Sequence, residues 1–147
     1  MSRLFYVGLV MLGVLLFDRA LVLADRRTSN SSTTTQSNAE RGRAVFNGKG
    51  VCHYCHGIDG NKDQRPQLAA DTAALISQLN PQPTDLRNPN VLRLKTNKER
   101  IRAIREGHPG TGMFPDQTMK DSEVADLMAY LALLRSEGAR GMVHQSR

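Results

Sequence analysis

Tryptophan is absent from the 147 residues, cysteine occurs twice, and aromatic side chains make up only 5%. From Asp25 onward the only aromatics are Phe46, Tyr54, Phe114 and Tyr130, and Leu, Ile, Val and Phe together number 21 of 123 residues. That share lies below the one-fifth expected of a chain that builds its core from its own side chains. Strand patterning is missing too, which excludes a βαβ redox domain around the two cysteines. No second pair of Cys or His stands at metal-ligand spacing, so a structural zinc site would have to gather His56 with His108 or His144. No apolar run reaches the roughly 20 residues that a membrane-spanning helix needs.

Both cysteines fall in one pentapeptide, Cys52-His53-Tyr54-Cys55-His56. Two residues between the thiols and a histidine directly after the second form the attachment signature of a c-type haem. The spacing has a chemical reason. In a turn or first helical turn it lets both thiols reach the vinyl groups of one porphyrin as thioethers, and it sets the next side chain under the iron. Cys52 and Cys55 are thus the expected attachment points of one haem c, and His56 is the expected iron ligand. His53 and Tyr54 are spacers. A plain disulfide stays open on spacing alone, but it leaves the adjacent histidine without a task. A buried porphyrin would also supply the apolar centre that the composition lacks, so the apo-protein is expected to fold poorly.

Residues 1–24 read as a signal peptide: Arg3 is the positive end, residues 4–17 are an unbroken run of apolar residues and glycine, and Val22-Leu23-Ala24 suits signal peptidase. Cleavage after Ala24 would place the mature chain in the periplasm, where unprotected thiols oxidise. A membrane association is expected only if the signal is uncleaved. Residues 25–38, rich in Ser, Thr, Asn and Gln, read as a disordered linker. Residues 39–136 have the size of one small domain, and residues 137–147 read as a flexible tail.

The pattern within that domain is all-α, with three to four helices. Residues 39–47 form the first, with Asn38 as N-cap, Gly48 and Gly50 as its end, and Gly42 and Phe46 on one face. Residues 71–79 form a second, with Leu75 and Leu79 on one side, before Asn80-Pro81-Gln82-Pro83 forces an extended path. Thr96-Asn97-Lys98-Glu99 is a capping box that opens a third helix through Glu106, with Ile101 and Ile104 inward and Gly107 as its stop. Residues 108–115 carry too much Gly and Pro for a helix. Residues 121–135 are the clearest helix, with Val124, Leu127, Met128, Leu131 and Leu134 in one stripe and Gly138 as its end.

In this order the pieces resemble the class I cytochromes c, small monohaem electron carriers, over residues 39–136. The resemblance implies that the first and last helices cross at Gly42, with Phe46 packed by Leu127 and Tyr130. It implies Met113 as the sixth iron ligand opposite His56, a soft thioether that raises the reduction potential relative to a second imidazole. His108 is the bis-histidine alternative, while Met119 and Met128 read as packing and Met142 as part of the tail. A backbone carbonyl after the haem motif is implied as acceptor for the His56 Nδ1 proton, with Pro66 as the candidate. In a chain without tryptophan, basic side chains or backbone N–H groups would meet the haem propionates. One departure from the family pattern is Phe114, which intervenes between Met113 and Pro115 where proline usually follows the methionine.

Net charge is +6, and +5 without residues 1–24. The excess is local: Arg87, Arg93, Lys95, Lys98, Arg100, Arg102 and Arg105 face only Asp85, Glu99 and Glu106 in the same stretch. It reads equally as a solvated helix face and as a docking patch for an acidic redox protein or a membrane-bound or periplasmic oxidoreductase complex. A nucleic-acid partner is not expected, because no aromatic-plus-basic reading surface is present. The expected function is one-electron transfer outside the cytoplasmic membrane, with no bond chemistry by the protein itself. An open sixth iron position would instead make a haem enzyme or gas sensor, and a subunit of a larger dehydrogenase or oxidase would look the same in sequence.

Overall fold

The computed structural model describes residues 33–145, so the expected signal peptide, residues 25–32 of the expected linker and the last two residues lie outside it. Among the described residues there are five α-helices and no strand, and the all-α expectation holds. Helix α1 covers residues 33–47, α2 Cys52–His56, α3 Ala70–Ser77, α4 Asn97–Glu106 and α5 Asp121–Gln145. A single 3-10 turn, Ile58–Gly60, follows α2. The helices exceed the expected three to four because the cysteine motif closes a helical turn of its own.

Helices α1 and α5 cross at Gly42. A Cβ there would stand 2.0 Å from the Asp126 carbonyl oxygen and 2.8 Å from Tyr130 Cβ, so no larger residue allows this approach. One turn further on, Phe46 meets Tyr130 edge to face, with ring centroids 5.5 Å apart. Around this pair Ile104 of α4, Met119, and Val124, Leu127, Met128 and Leu134 of α5 close the core, which lies within the compact unit Ser37–Arg147. Arg41 locks the crossing from outside by a two-pronged contact with the Asp126 carboxylate, at 2.8 and 3.0 Å.

Several boundaries and faces differ from expectation. Helix α1 is already under way at residue 33, so residues 33–38 of the expected linker are helical and Asn38 is no N-cap. Arg41 reaches back one turn to Ser37 at 2.9 Å and Asn38 at 2.6 Å, which supports helix there. Helix α3 buries Ile76, while Leu75 is 67% exposed, and Leu79 lies past the helix end against Gly112. The capping box of α4 is present in both directions: Glu99 N–H donates to Thr96 Oγ1 at 3.2 Å, and Thr96 N–H donates to the Glu99 carboxylate at 2.8 Å. That helix buries Ala103 and Ile104, but Ile101 is turned outward. Helix α5 runs past Gly138 to Gln145, so the expected tail is helical as far as residue 145. Gly138 is a point of close approach, not a stop: a Cβ there would stand 1.5 Å from the Arg87 carbonyl oxygen.

Asp59, in the left-handed region at φ 54, ties these elements together behind α2. Its carboxylate accepts from Arg43 Nε of α1 at 2.8 Å, from the Asn47 amide, and from the Tyr130 hydroxyl of α5 at 3.0 Å. Chiefly the Arg43 hydrogen bond, helped by Asn47 and Tyr130, holds this carboxyl well below the usual carboxylate range. A depressed carboxylate stabilises the fold above its unfolded pKa of about 4, and the contribution fades as pH falls toward the folded value. Asp59→Asn is therefore expected to cost about 1–3 kcal/mol at pH 7 and less at pH 3. Urea unfolding of both proteins at the two pH values measures this, and a deficit independent of pH would contradict it.

Candidate functional site

The chain enters α2 through Val51 in a left-handed conformation, φ 45, and the helical turn then carries Cys52, Cys55 and His56 within five residues. Cys52 packs against the α1–α5 core, and its Sγ donates to the Gly50 carbonyl at 3.4 Å. Burial pushes the Cys52 thiol up to about 12, and burial raises the Cys55 thiol as well. Neither sulfur is in a disulfide, so the turn presents two neutral thiols. The His53 ring donates through Nδ1 to the Phe46 carbonyl at 3.3 Å and packs edge to face on Tyr54, as suits a spacer that fastens α2 to α1.

His56 is oriented from a distance. Its Nδ1 stands 2.9 Å from the carbonyl oxygen of Thr84, 28 residues along the chain. A carbonyl only accepts, so Nδ1 carries the proton and Nε2 is left with its lone pair. Burial lowers the imidazole pKa, with the Thr84 bond opposing it, and the ring is neutral at pH 7. A neutral imidazole with a bare Nε2 is the form that ligates a metal.

The acceptor is therefore Thr84 and not Pro66. The stretch containing Pro66 begins by curling on itself, with Ile58 N–H on the Gln64 carbonyl at 2.8 Å and Gln64 N–H on the Asn61 carbonyl at 3.0 Å. The connection after α3 bends at Asn80 and Pro81, where an extended path was expected, with the Gln82 amide folded back on the Ser77 and Leu79 carbonyls, and it brings the Thr84 carbonyl back to α2. Thr84 is the residue at this site that sequence reasoning missed. The proline pair was the available signal, because prolines keep the segment out of helix and so leave its carbonyls free for tertiary partners.

Met113 sits in a loop stapled by its own polar groups. His108 N–H donates to the Met113 carbonyl at 2.9 Å, the Thr111 hydroxyl donates to the His108 carbonyl at 2.7 Å, and Met113 N–H donates to Thr111 Oγ1 at 3.1 Å. Beneath it, Gly112 faces Leu79, whose Cδ2 would stand 2.4 Å from an added Cβ. Among the described methionines Met113 alone is exposed, at 36%, whereas Met119 and Met128 lie in the core and Met142 rests near the Asn90 amide. Phe114, the residue that departs from the family pattern, is 70% exposed.

Most of the basic cluster has internal partners. Arg87 binds the Asp59 carbonyl and Glu137, Lys95 the Leu92 carbonyl, Arg100 the Leu94 and Lys95 carbonyls, Arg102 pairs with Glu106, and Arg105 with Asp121. Among the described residues, Arg93 and Lys98 are the two members of that cluster that make no such bond.

Two thiols on one helical turn, followed by a neutral imidazole already protonated on the far nitrogen, are a donor set that fits a covalently held haem. The sequence profile described as Cytochrome c matches residues 39–135. No curated protein and no solved structure matches the chain. The profile runs from the Gly42 crossing through the pentapeptide to the stripe of α5, so it reaches far beyond the five residues of the motif. On that span the chain belongs to the cytochrome c family, whose members hold haem c and its iron covalently.

Proposed function

We propose that this protein is a monohaem c-type cytochrome that carries single electrons between redox partners outside the cytoplasmic membrane. The observation that carries the reading is the His56 imidazole, held through Nδ1 by Thr84 with Nε2 free, directly after two thiols on the same helical turn. Cys52 and Cys55 would hold the haem as thioethers, and His56 and Met113 are the side chains that would ligate its iron. The haem, when bound, supplies the one-electron couple. The Thr84 carbonyl orients the His56 ring and makes it a stronger donor. The Met113 thioether favours ferrous iron. Phe46, Leu127 and Tyr130 exclude water behind α2.

Residues 1–24 support export and a periplasmic location. No helix among the described residues is long and apolar enough to cross a membrane. An acidic redox protein or oxidoreductase complex is the partner that the cluster from Arg87 to Arg105 would meet, with Arg93 and Lys98 free to pair with it. Transfer rates are then expected to fall steeply as salt rises, and a flat response would remove this docking surface.

Visible spectra of the protein, made in a host that matures c-type haem, test the reading. Covalent low-spin haem that ignores carbon monoxide supports the electron carrier. High-spin haem that binds carbon monoxide at once points to an enzyme or gas sensor, and absence of covalent haem overturns the proposal.

A further inference from the structure

We infer that Arg87, working against Gly138, positions the axial histidine by clamping the segment that carries the Thr84 carbonyl; this presupposes His56 as the iron ligand. Thr84 belongs to the long connection between α3 and α4, which has no helix of its own to hold it. Three residues past Thr84 that connection is fastened on two sides. Arg87 N–H donates to the Asp85 carboxylate at 2.9 Å and closes a tight turn. Arg87 Nε donates to the Asp59 carbonyl at 3.0 Å, in the turn that leaves α2. Its terminal nitrogen donates to Glu137 of α5 at 3.2 Å. The Arg87 carbonyl lies so close to α5 that only a glycine fits opposite it, at Gly138. Leu86, between these anchors, packs on the core.

The contributions are unequal. Both partners of the Arg87–Glu137 pair are more than a third exposed, at 35% and 38%, so that contact is screened and weak. The Asp59 carbonyl and the Gly138 contact are the effective ones. Arginine suits the position because its planar fork reaches acceptors on two elements at once, which an ammonium group does poorly. The consequence falls on His56. A firmly held Thr84 carbonyl leaves more negative charge on the imidazole, favours ferric iron and lowers the potential; a loosened one raises it.

The test compares haem-loaded wild type with Arg87→Ala, Arg87→Lys, Gly138→Ala and Glu137→Gln. Three quantities are read: the reduction potential, the exchange rate of the His56 Nδ1 proton in the reduced protein by NMR, and the melting temperature. Arg87→Ala is expected to speed that exchange about tenfold, as loss of one charge-assisted hydrogen bond allows, and to raise the potential. Arg87→Lys should fall between it and wild type, Gly138→Ala should move both quantities the same way, and Glu137→Gln should leave both unchanged. Lower melting temperatures with wild-type exchange and potential would mean a merely structural role and overturn the inference. Should Arg87→Ala give no folded holoprotein, wild-type values in Arg87→Lys and Gly138→Ala overturn it equally. A wild type without covalent haem is a different result, and it removes the ligand reading of His56 itself.

Discussion

Deprived of its haem, the protein is expected to lose its cooperative melting transition. The variant to make is Cys52→Ala with Cys55→Ala, expressed without haem maturation and followed by circular dichroism against the haem-loaded wild type. The reason lies in how little apolar surface the chain buries by itself. Its core rests on Phe46, Ile104, Met119, Val124, Leu127, Met128, Tyr130 and Leu134, while Leu75, Val91, Ile101, Met113 and Phe114 stand exposed. Burial of a large apolar side chain contributes roughly 1.5–3 kcal/mol, and net stabilities are only about 5–15 kcal/mol. A cofactor that covers three or four such side chains therefore accounts for most of the margin. The expected apo-protein keeps some helical signal and melts broadly; a compact apo-protein with one sharp transition would refute the expectation.

Met113→Ala is expected to open the iron without unfolding the protein. The loop that presents the thioether is held by the backbone of His108 and Met113 and by the Thr111 hydroxyl, none of which the substitution removes. Met113 is not among the residues of the α1–α5 core, so its loss leaves no cavity there. If Met113 ligates the iron as proposed, a bond of about 3 kcal/mol would withhold the sixth position roughly a hundredfold, and the variant should bind carbon monoxide on mixing where the wild type does not. Its potential should fall, since the ligand that favours ferrous iron is gone. If Met113→Ala still ignores carbon monoxide and His108→Ala does not, the sixth ligand is His108. The exposed Phe114 beside Met113 gives the control: Phe114→Ala should leave carbon monoxide exclusion intact.

What the sequence determined by itself is everything settled within a turn or two of chain. The Cys52–His56 spacing, the Thr96–Glu99 capping box and the stripe from Val124 to Leu134 all act on near neighbours or on one face of one helix. Local chemistry was enough for them, and the all-α fold and the haem motif followed. Apart from the helix crossing at Gly42, which the family resemblance implied, tertiary structure decided the contacts made across the chain. Thr84 reaches His56 over 28 residues, Tyr130 reaches Asp59 over 71, and Arg87 reaches Glu137 over 50. Those distances also explain the misread helix end at Gly138 and the misread face of α3. A glycine that ends a helix and one that admits a neighbouring backbone look alike in sequence, and so do Leu75 and Ile76 until the core selects which of them to bury. Composition shows how much apolar surface there is to cover; which carbonyl holds His56 is set only when distant segments pack.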